Sequence, residues 1–351
     1  MAGWKPKPPD RIPQNNNEGT MEMKIGNYLK SSIAALAVFA GLAAPAAANE
    51  PVTFQLSWKA QPEFAGFYEA LEKGYYAACG IDMTLREGAP GIDPTQLLTT
   101  GAVDVALLPQ NDGVLRMNSV GFPAKAVMAS MQKFLTVMLY HDESGIKKPE
   151  DIKDKPVLIS QSNRTTFWPF LKSKYGYTDD QLRTYTGQIA TWMSDKTSIQ
   201  QGVVTQEPFR IKAETGKLPS YFLLSDMGYN PYTVIVVVSQ KMIDEKPEVV
   251  QCLVDGSRKG WVDFLKDPSV AFAAINKLNP QITKELMDYS HEMMTANNLV
   301  ENDDTAKHGI GWISAERWKS HYEMLVANGL FAADFDYASA FTTRFLEKPM
   351  N

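Results

Sequence analysis

The chain is poor in the residues that most often carry catalysis or bind metal. Its 351 residues include only two cysteines and four histidines. His141, His291, His308 and His321 fall in a charged connection or among C-terminal helical patterns, none with a partner at metal-ligand spacing, so no metal site is expected. There is no glycine-rich phosphate loop, no G-x-S-x-G elbow and no H-E-x-x-H pair. Lysine- and arginine-rich runs are missing too, and the formal net charge is −5. Binding through nucleic-acid phosphates needs a basic face, so nucleic acid is excluded as a partner. Cys79 and Cys252 could form a bridge in an oxidising compartment. Two cysteines so far apart in sequence do not establish one, and buried free thiols are the default expectation.

Long apolar runs are also scarce. The most apolar segment, residues 24–48 (KIGNYLKSSIAALAVFAGLAAPAAA), has a basic start at Lys24 and Lys30, an apolar stretch from Ile33 to Ala44, and the small residues Ala46-Ala47-Ala48. That is the pattern of a cleavable signal peptide. The stretch is too short for a spanning helix of about 20 residues. Asn49, not cysteine, follows the expected cut, which points to a freely soluble periplasmic product. The proline- and asparagine-rich residues before it are unusual ahead of a signal peptide. They suggest a translation start at Met21 or Met23, with a disordered tail as the alternative.

The rest is ordinary globular sequence, 44% hydrophobic and 21% charged, and long enough for two lobes. Short β-rich runs alternate with helical patterns through the first two-thirds, the signature of parallel sheets with crossover helices. Strands are expected at 52–58, 81–85, 103–108, 126–131, 134–140, 157–160, 182–185, 221–225 and 233–239. Helices are expected at 64–76, 93–100, 165–175 and 196–201. Beyond 239 the chain reads as almost wholly helical: 247–265, 269–278, 283–297, 314–328 and 337–346. A closing block of helices needs a sheet to cover, so the chain should return to its first lobe. The expected division is an extension and signal peptide over 1–48, lobe I over 49–140, an inserted lobe II over 141–234, and a helix-rich second part of lobe I over 235–351. Two crossings make a hinge, and the cleft between lobes is the natural ligand site.

Candidate ligand contacts follow from position. In α/β sheets, ligands bind outside the carboxyl ends of the strands. Trp58 ends the first strand and Phe64 follows it, placed to stack on a planar ligand or to pack in the core. Tyr68 shares the helical face of Phe64. Asn111, with Asp112, sits at the same rim and could bond a heteroatom or cap a helix. Asn163 lies in the Ser162–Thr166 turn, whose backbone N–H groups could receive an acceptor. Glu207, between a strand and Pro208, could accept from a ligand N–H or simply favour a helix N-terminus. Tyr229 and Tyr232, flanking Asn230-Pro231, could form an aromatic lid at the hinge or plain turn chemistry.

The run WKAQPEFAGFYEALEKGYYAACGID, Trp58 to Asp82, resembles the periplasmic binding proteins for thiamine pyrimidine precursors, a family that shades into nitrate, sulfonate and riboflavin binders. A tryptophan ends the first strand, then come a G-x-Y/F-x-A helix, G-Y-Y/F and G-L/I-D. Leu97–Val105 (LLTTGAVDV) and Glu207-Pro208 also match. The resemblance implies an α/β type II periplasmic-binding-protein fold, with two lobes, a hinge and an interlobe cleft. It implies the periplasmic solute-binding component of an ABC importer, a monomer that hands its ligand to an inner-membrane ABC permease. The ligand implied is a small planar nitrogen heterocycle, a thiamine pyrimidine precursor or a relative of it. A small anion such as a sulfonate or nitrate is the alternative, and for it only Arg164 and the neighbouring threonines offer a basic, hydroxyl-rich cradle. The same fold also serves a pyrimidine-precursor synthase, whose lysine and histidine positions align with Leu108 and Asp112 here. Neither catalytic residues nor a cofactor are therefore expected.

Overall fold

A computed structural model describes residues 48–347 apart from 90 and 186. The expected signal peptide and N-terminal extension thus lie outside the described residues. In chain order the strands are β1 Glu50–Gln55, β2 Ile81–Arg86, β3 Val105–Gln110, β4 Ala124–Met131, β5 Thr136–Tyr140, β6 Val157–Ile159, β7 Leu182–Thr184, β8 Ile199–Val203, β9 Ser220–Leu223 and β10 Thr233–Ser239. They form two five-stranded sheets, ordered β2-β1-β3-β10-β4 and β7-β6-β8-β5-β9.

The two sheets repeat one plan. In the first, β1 lies parallel to β2 and β3, while β10 runs antiparallel between β3 and β4. In the second, β6 lies parallel to β7 and β8, while β5 runs antiparallel between β8 and β9. Each antiparallel strand is thus supplied by the chain's passage from one sheet to the other. The composition of β10, TVIVVVS, suits this place: Val234 to Val238 are buried between β3 and β4.

Several sequence expectations are corrected. Thr136–Tyr140 pairs in the second sheet, so the first passage between sheets lies at 132–135 and not at 140/141. The helix expected at 196–201 is replaced by β8, because Ile199–Val203 is wedged between β6 and β5 and ladder pairing overrides its polar glutamines. The helical pattern over 64–76 is broken at Gly74 (φ 70°), leaving a helix at Ala65–Glu72 and one turn at Tyr75–Ala78. The last expected helix shrinks to the turn Tyr337–Ala340, after which Phe341 is drawn alongside Ala126 of β4.

The long helix Pro247–Lys266 lies against helix Ala65–Glu72. The two touch through glycines: a Cβ on Gly260 would collide with the Gly66 carbonyl, and one on Gly66 with the Trp261 ring. This contact fixes the turn that opens the first helix, and with it Pro62–Phe64. A disulfide joins Cys79, exposed after the Tyr75–Ala78 turn, to buried Cys252 on the long helix. The expectation of free thiols is therefore wrong. The helix pair brings the two positions to a Cα separation of 5.7 Å, which sequence spacing could not reveal.

The bridge closes a loop of 173 residues that contains the whole second sheet. Replacing both cysteines by serine should lower unfolding free energy by about 2–4 kcal/mol, chiefly by freeing the unfolded chain. Urea denaturation of wild type and Cys79→Ser/Cys252→Ser checks this; coincident midpoints would show that the bridge does not constrain the unfolded state.

Candidate functional site

The carboxyl ends of β1, β3, β6 and β8 and the amino ends of β5 and β10 open onto one cleft of about 600 Å³. Its lining is rich in amides. Gln61 and Gln110 come from the first sheet's side, and Asn163, Gln201 and Gln206 from the second's. Gln201 is fixed because its Oε1 accepts from the Ser160 N–H at 2.8 Å and from Asn163 Nδ2 at 3.1 Å. A second groove of about 430 Å³ lies at the opposite ends of the first sheet's strands. It is lined by the Lys246–Glu50 ion pair, and its aromatic lining residue is the partly buried Phe122.

Four of the sequence candidates, Trp58, Phe64, Asn163 and Glu207, line this cleft. Trp58 is 44% exposed at the edge of the cavity, whereas Phe64 is buried in its wall. The other four stand outside the lining. Tyr68 is buried in the first core, on the side of its helix away from the Gly66–Gly260 contact. Asn111 is fully buried behind the rim. Tyr229 packs its ring at 5.1 Å from Phe134, in the second core, and donates its hydroxyl to Gln110 Oε1. Tyr232 accepts from the Ser314 N–H and lies under the Arg317 guanidinium, 4.0 Å from its ring centre. Both tyrosines thus brace the hinge from outside the cavity lining.

Glu207 opens helix Glu207–Thr215 and is buried. It can fold back over β8 because residue 202 is glycine: a Cβ there would stand 2.9 Å from Glu207 Cβ. Its Oε2 accepts from the Val203 N–H at 2.5 Å, and its Oε1 from the Tyr185 hydroxyl at 3.3 Å. Burial pushes its carboxyl above the ordinary glutamate range, opposed by the Val203 N–H and by Arg210.

Sequence reasoning missed Glu63. In QPEF the aromatic drew attention, yet Glu63 is 2% exposed and lines the cleft. Its carboxylate accepts from the Thr205 hydroxyl and, at 3.0 and 3.1 Å, from Gln206 Nε2. These bonds join the first sheet's side to the turn after β8. Tyr185 and Arg210 were missed as well. The signal available for Tyr185 was its place just beyond β7, the same strand-end logic that selected Trp58.

The hinge adds a backbone feature. The pairing of β10 with β3 steps from Thr233↔Gln110 to Ile235↔Leu108, and with β4 from Thr233↔Met131 to Ile235↔Ala129, passing over Val234 on both sides. Val234 has φ 55°, a conformation that a β-branched residue rarely adopts, and it lines the cleft beside Pro109. Such conformations persist only where the surroundings over-determine them.

Comparison with known proteins places this geometry among relatives. The family model described as NMT1/THI5 like matches residues 61–271. The riboflavin-binding protein RibY of Chloroflexus aurantiacus is 27% identical, over 87% of this chain and 89% of that protein. The formylaminopyrimidine-binding protein of Halalkalibacterium halodurans is 23% identical, over 80% and 86%. The Saccharomyces cerevisiae 4-amino-5-hydroxymethyl-2-methylpyrimidine phosphate synthase THI5 is also 23% identical, over 68% and 74%. Among solved structures, the alkanesulfonate-binding protein SsuA from Xanthomonas axonopodis pv. citri bound to MOPS superposes with a TM-score of 0.61. It is 11% identical and covers 85% of this chain and 99% of its own. That likeness gives the fold, the two-lobed periplasmic-binding-protein architecture.

The raised carboxyl of Glu207 has a consequence for stability. A carboxyl whose folded pKa exceeds its unfolded one favours the fold while protonated. That contribution is present below the unfolded value and lost as pH rises through the folded one. The stability difference between Glu207→Gln and wild type should therefore move in the variant's favour as pH is raised from about 4, the ordinary glutamate value, upward. Urea midpoints across that range read it out; a difference independent of pH would mean that Glu207 ionises like an exposed glutamate.

Proposed function

The chain belongs to the NMT1/THI5-like family, and from that premise we propose that it is the periplasmic solute-binding component of an ABC importer, holding a small planar nitrogen heterocycle between its lobes. The observation that carries this reading is the exposed indole of Trp58 at the edge of a cleft lined by Glu207 and a wall of amides. Trp58 supplies stacking, with Phe64 behind it. Glu207, Gln201 and Asn163 supply acceptors and donors for the polar edge of a ring. The relatives named for riboflavin and for formylaminopyrimidine support the choice, since both ligands present a nitrogen-containing ring edge.

Against the anion alternative stand the position of Arg164 and the pairing of the cleft's own guanidinium, Arg210, with Glu207. Arg164 is not among the cleft-lining residues, and its charge acts on Asp179. The synthase relatives keep an enzymatic reading in view. Against it, Leu108 and Asp112 stand where the synthase resemblance calls for lysine and histidine, and we infer a binder with no catalytic residues. Closure on the ligand would be driven by differential affinity for the closed state. The closed form is what an inner-membrane permease would recognise. Among the described residues no helix is long and apolar enough to cross a membrane.

Two experiments test the proposal. A thermal-shift screen against riboflavin, pyrimidines, alkanesulfonates and nitrate should single out a heterocycle. A ligand at 100 times its dissociation constant adds about 2.7 kcal/mol of stability. Trp58→Ala should then weaken that ligand by about 1–3 kcal/mol with the fold intact; stabilisation by a sulfonate or nitrate instead would reject the heterocycle. For export, mass spectrometry of periplasmic material should find a chain beginning at Asn49, and an intact Met1 chain there would contradict a cleaved signal peptide.

A further inference from the structure

The charge balance of the cleft points to a finer selectivity. Of its lining residues only Glu63, Glu207 and Arg210 are charged, two carboxylates to one guanidinium. Both carboxylates are buried, and Arg210 is already engaged. Arg210 Nη1 lies 3.9 Å from Glu207 Oε1 and its Nη2 donates to Gln206 Oε1 at 3.3 Å.

Several of the backbone groups nearest the cleft are likewise occupied. At helix Glu207–Thr215, the N–H groups of Val203 and Glu207 turn to the Glu207 carboxylate itself, and position 208 is proline, with no N–H to offer. In the Ser162–Thr165 turn, the N–H groups of Asn163, Arg164 and Thr166 donate to Ser160, Gln161 and Asn163 carbonyls. A phosphate monoester carries close to two negative charges near neutral pH and three acceptor oxygens, with nothing to donate. It needs a cradle of N–H groups or cations. This cleft offers it neutral amide and hydroxyl donors, two buried carboxylates and one guanidinium already paired with Glu207.

We infer that Glu63 and Glu207 act as a filter that admits the unphosphorylated heterocycle and rejects its phosphate ester. The inference rests on the heterocycle reading above and deepens it. The two residues are specificity determinants supplied from the two sides of the cleft, Glu63 ahead of helix Ala65–Glu72 and Glu207 after β8, and the Glu63 carboxylate reaches across to Thr205 and Gln206, so the two acidic groups act on one region of the cavity. An ester group turned toward that region meets both carboxylates. Like-charge juxtaposition across an interface costs several kcal/mol, so rejection by at least about a hundredfold follows at about 1.4 kcal/mol per factor of ten.

The experiment titrates the mature protein with two pairs of probes: riboflavin and riboflavin 5′-phosphate, and 4-amino-5-hydroxymethyl-2-methylpyrimidine and its phosphate. The quantity read is the affinity ratio within a pair, in which any loss of ring contacts cancels. Wild type should favour the free compound by about a hundredfold or more. Glu63→Gln and Glu207→Gln should each cut that ratio by about tenfold, and inorganic phosphate alone should give no thermal shift. A phosphate ester bound as tightly as its parent, or a ratio unmoved in both variants, overturns the filter while leaving the heterocycle reading intact. Binding of none of the four probes removes the heterocycle reading and this inference with it. A thermal shift with inorganic phosphate alone overturns the filter whatever the heterocycles do.

Discussion

The side chain of Asn230 holds the two passages of the chain together. Its Oδ1 accepts from the Phe134 N–H on the outgoing passage and from Arg317 Nη2, both at 3.0 Å. The same guanidinium reaches the Asn230 and Pro231 carbonyls, and the Thr233 hydroxyl donates to the Lys133 carbonyl. Outgoing and returning segments are thereby bound into one strip, itself anchored to helix Ala315–Ala327. Because β5 and β10 leave this strip in opposite directions, each enters its sheet as the antiparallel member. That brings the amino ends of both to the cavity where the parallel strands end. Without the tie, two sheets of the same plan would have no reason to aim at one volume.

The tie explains which parts of the fold were legible in the sequence. Local signals were sufficient where one element decides its own conformation. Asp93 caps Pro94–Thr99 by accepting the Thr95 N–H, as the Asp-Pro pair suggested. The apolar run of β10 marked an interior strand. They failed where a partner decides. Residues 199–203 have little β character, yet they fill a slot between two strands. Thr136–Tyr140 looks like the next strand of the first sheet, and only the strip sends it to the second. The cysteines meet only because two helices can approach at Gly66 and Gly260.

The site divides along the same line. Trp58 and Glu207 were found because strand ends and a helix start are local features. Tyr68, Asn111, Tyr229 and Tyr232 were chosen for being aromatic or polar near those features, and packing turned them away. Glu63 went unseen for the converse reason. Its buried carboxylate makes sense only beside Thr205 and Gln206, 142 and 143 positions away in the chain. Amides on the cleft wall carry no sequence pattern at all, since glutamine is as common on surfaces as in sites.

The exposure of Trp58 has an optical consequence. Trp168, Trp192, Trp261 and Trp318 are buried, and Trp312 is partly covered, stacked 4.0 Å from His308. Trp58 is therefore the tryptophan among the described residues whose indole is most in contact with water. Among the described tryptophans it should emit furthest to the red. A planar molecule laid on that ring would remove water from the indole, and an aromatic one would quench it. If the heterocycle reading holds, the cleft carries an optical reporter of its own, without a dye.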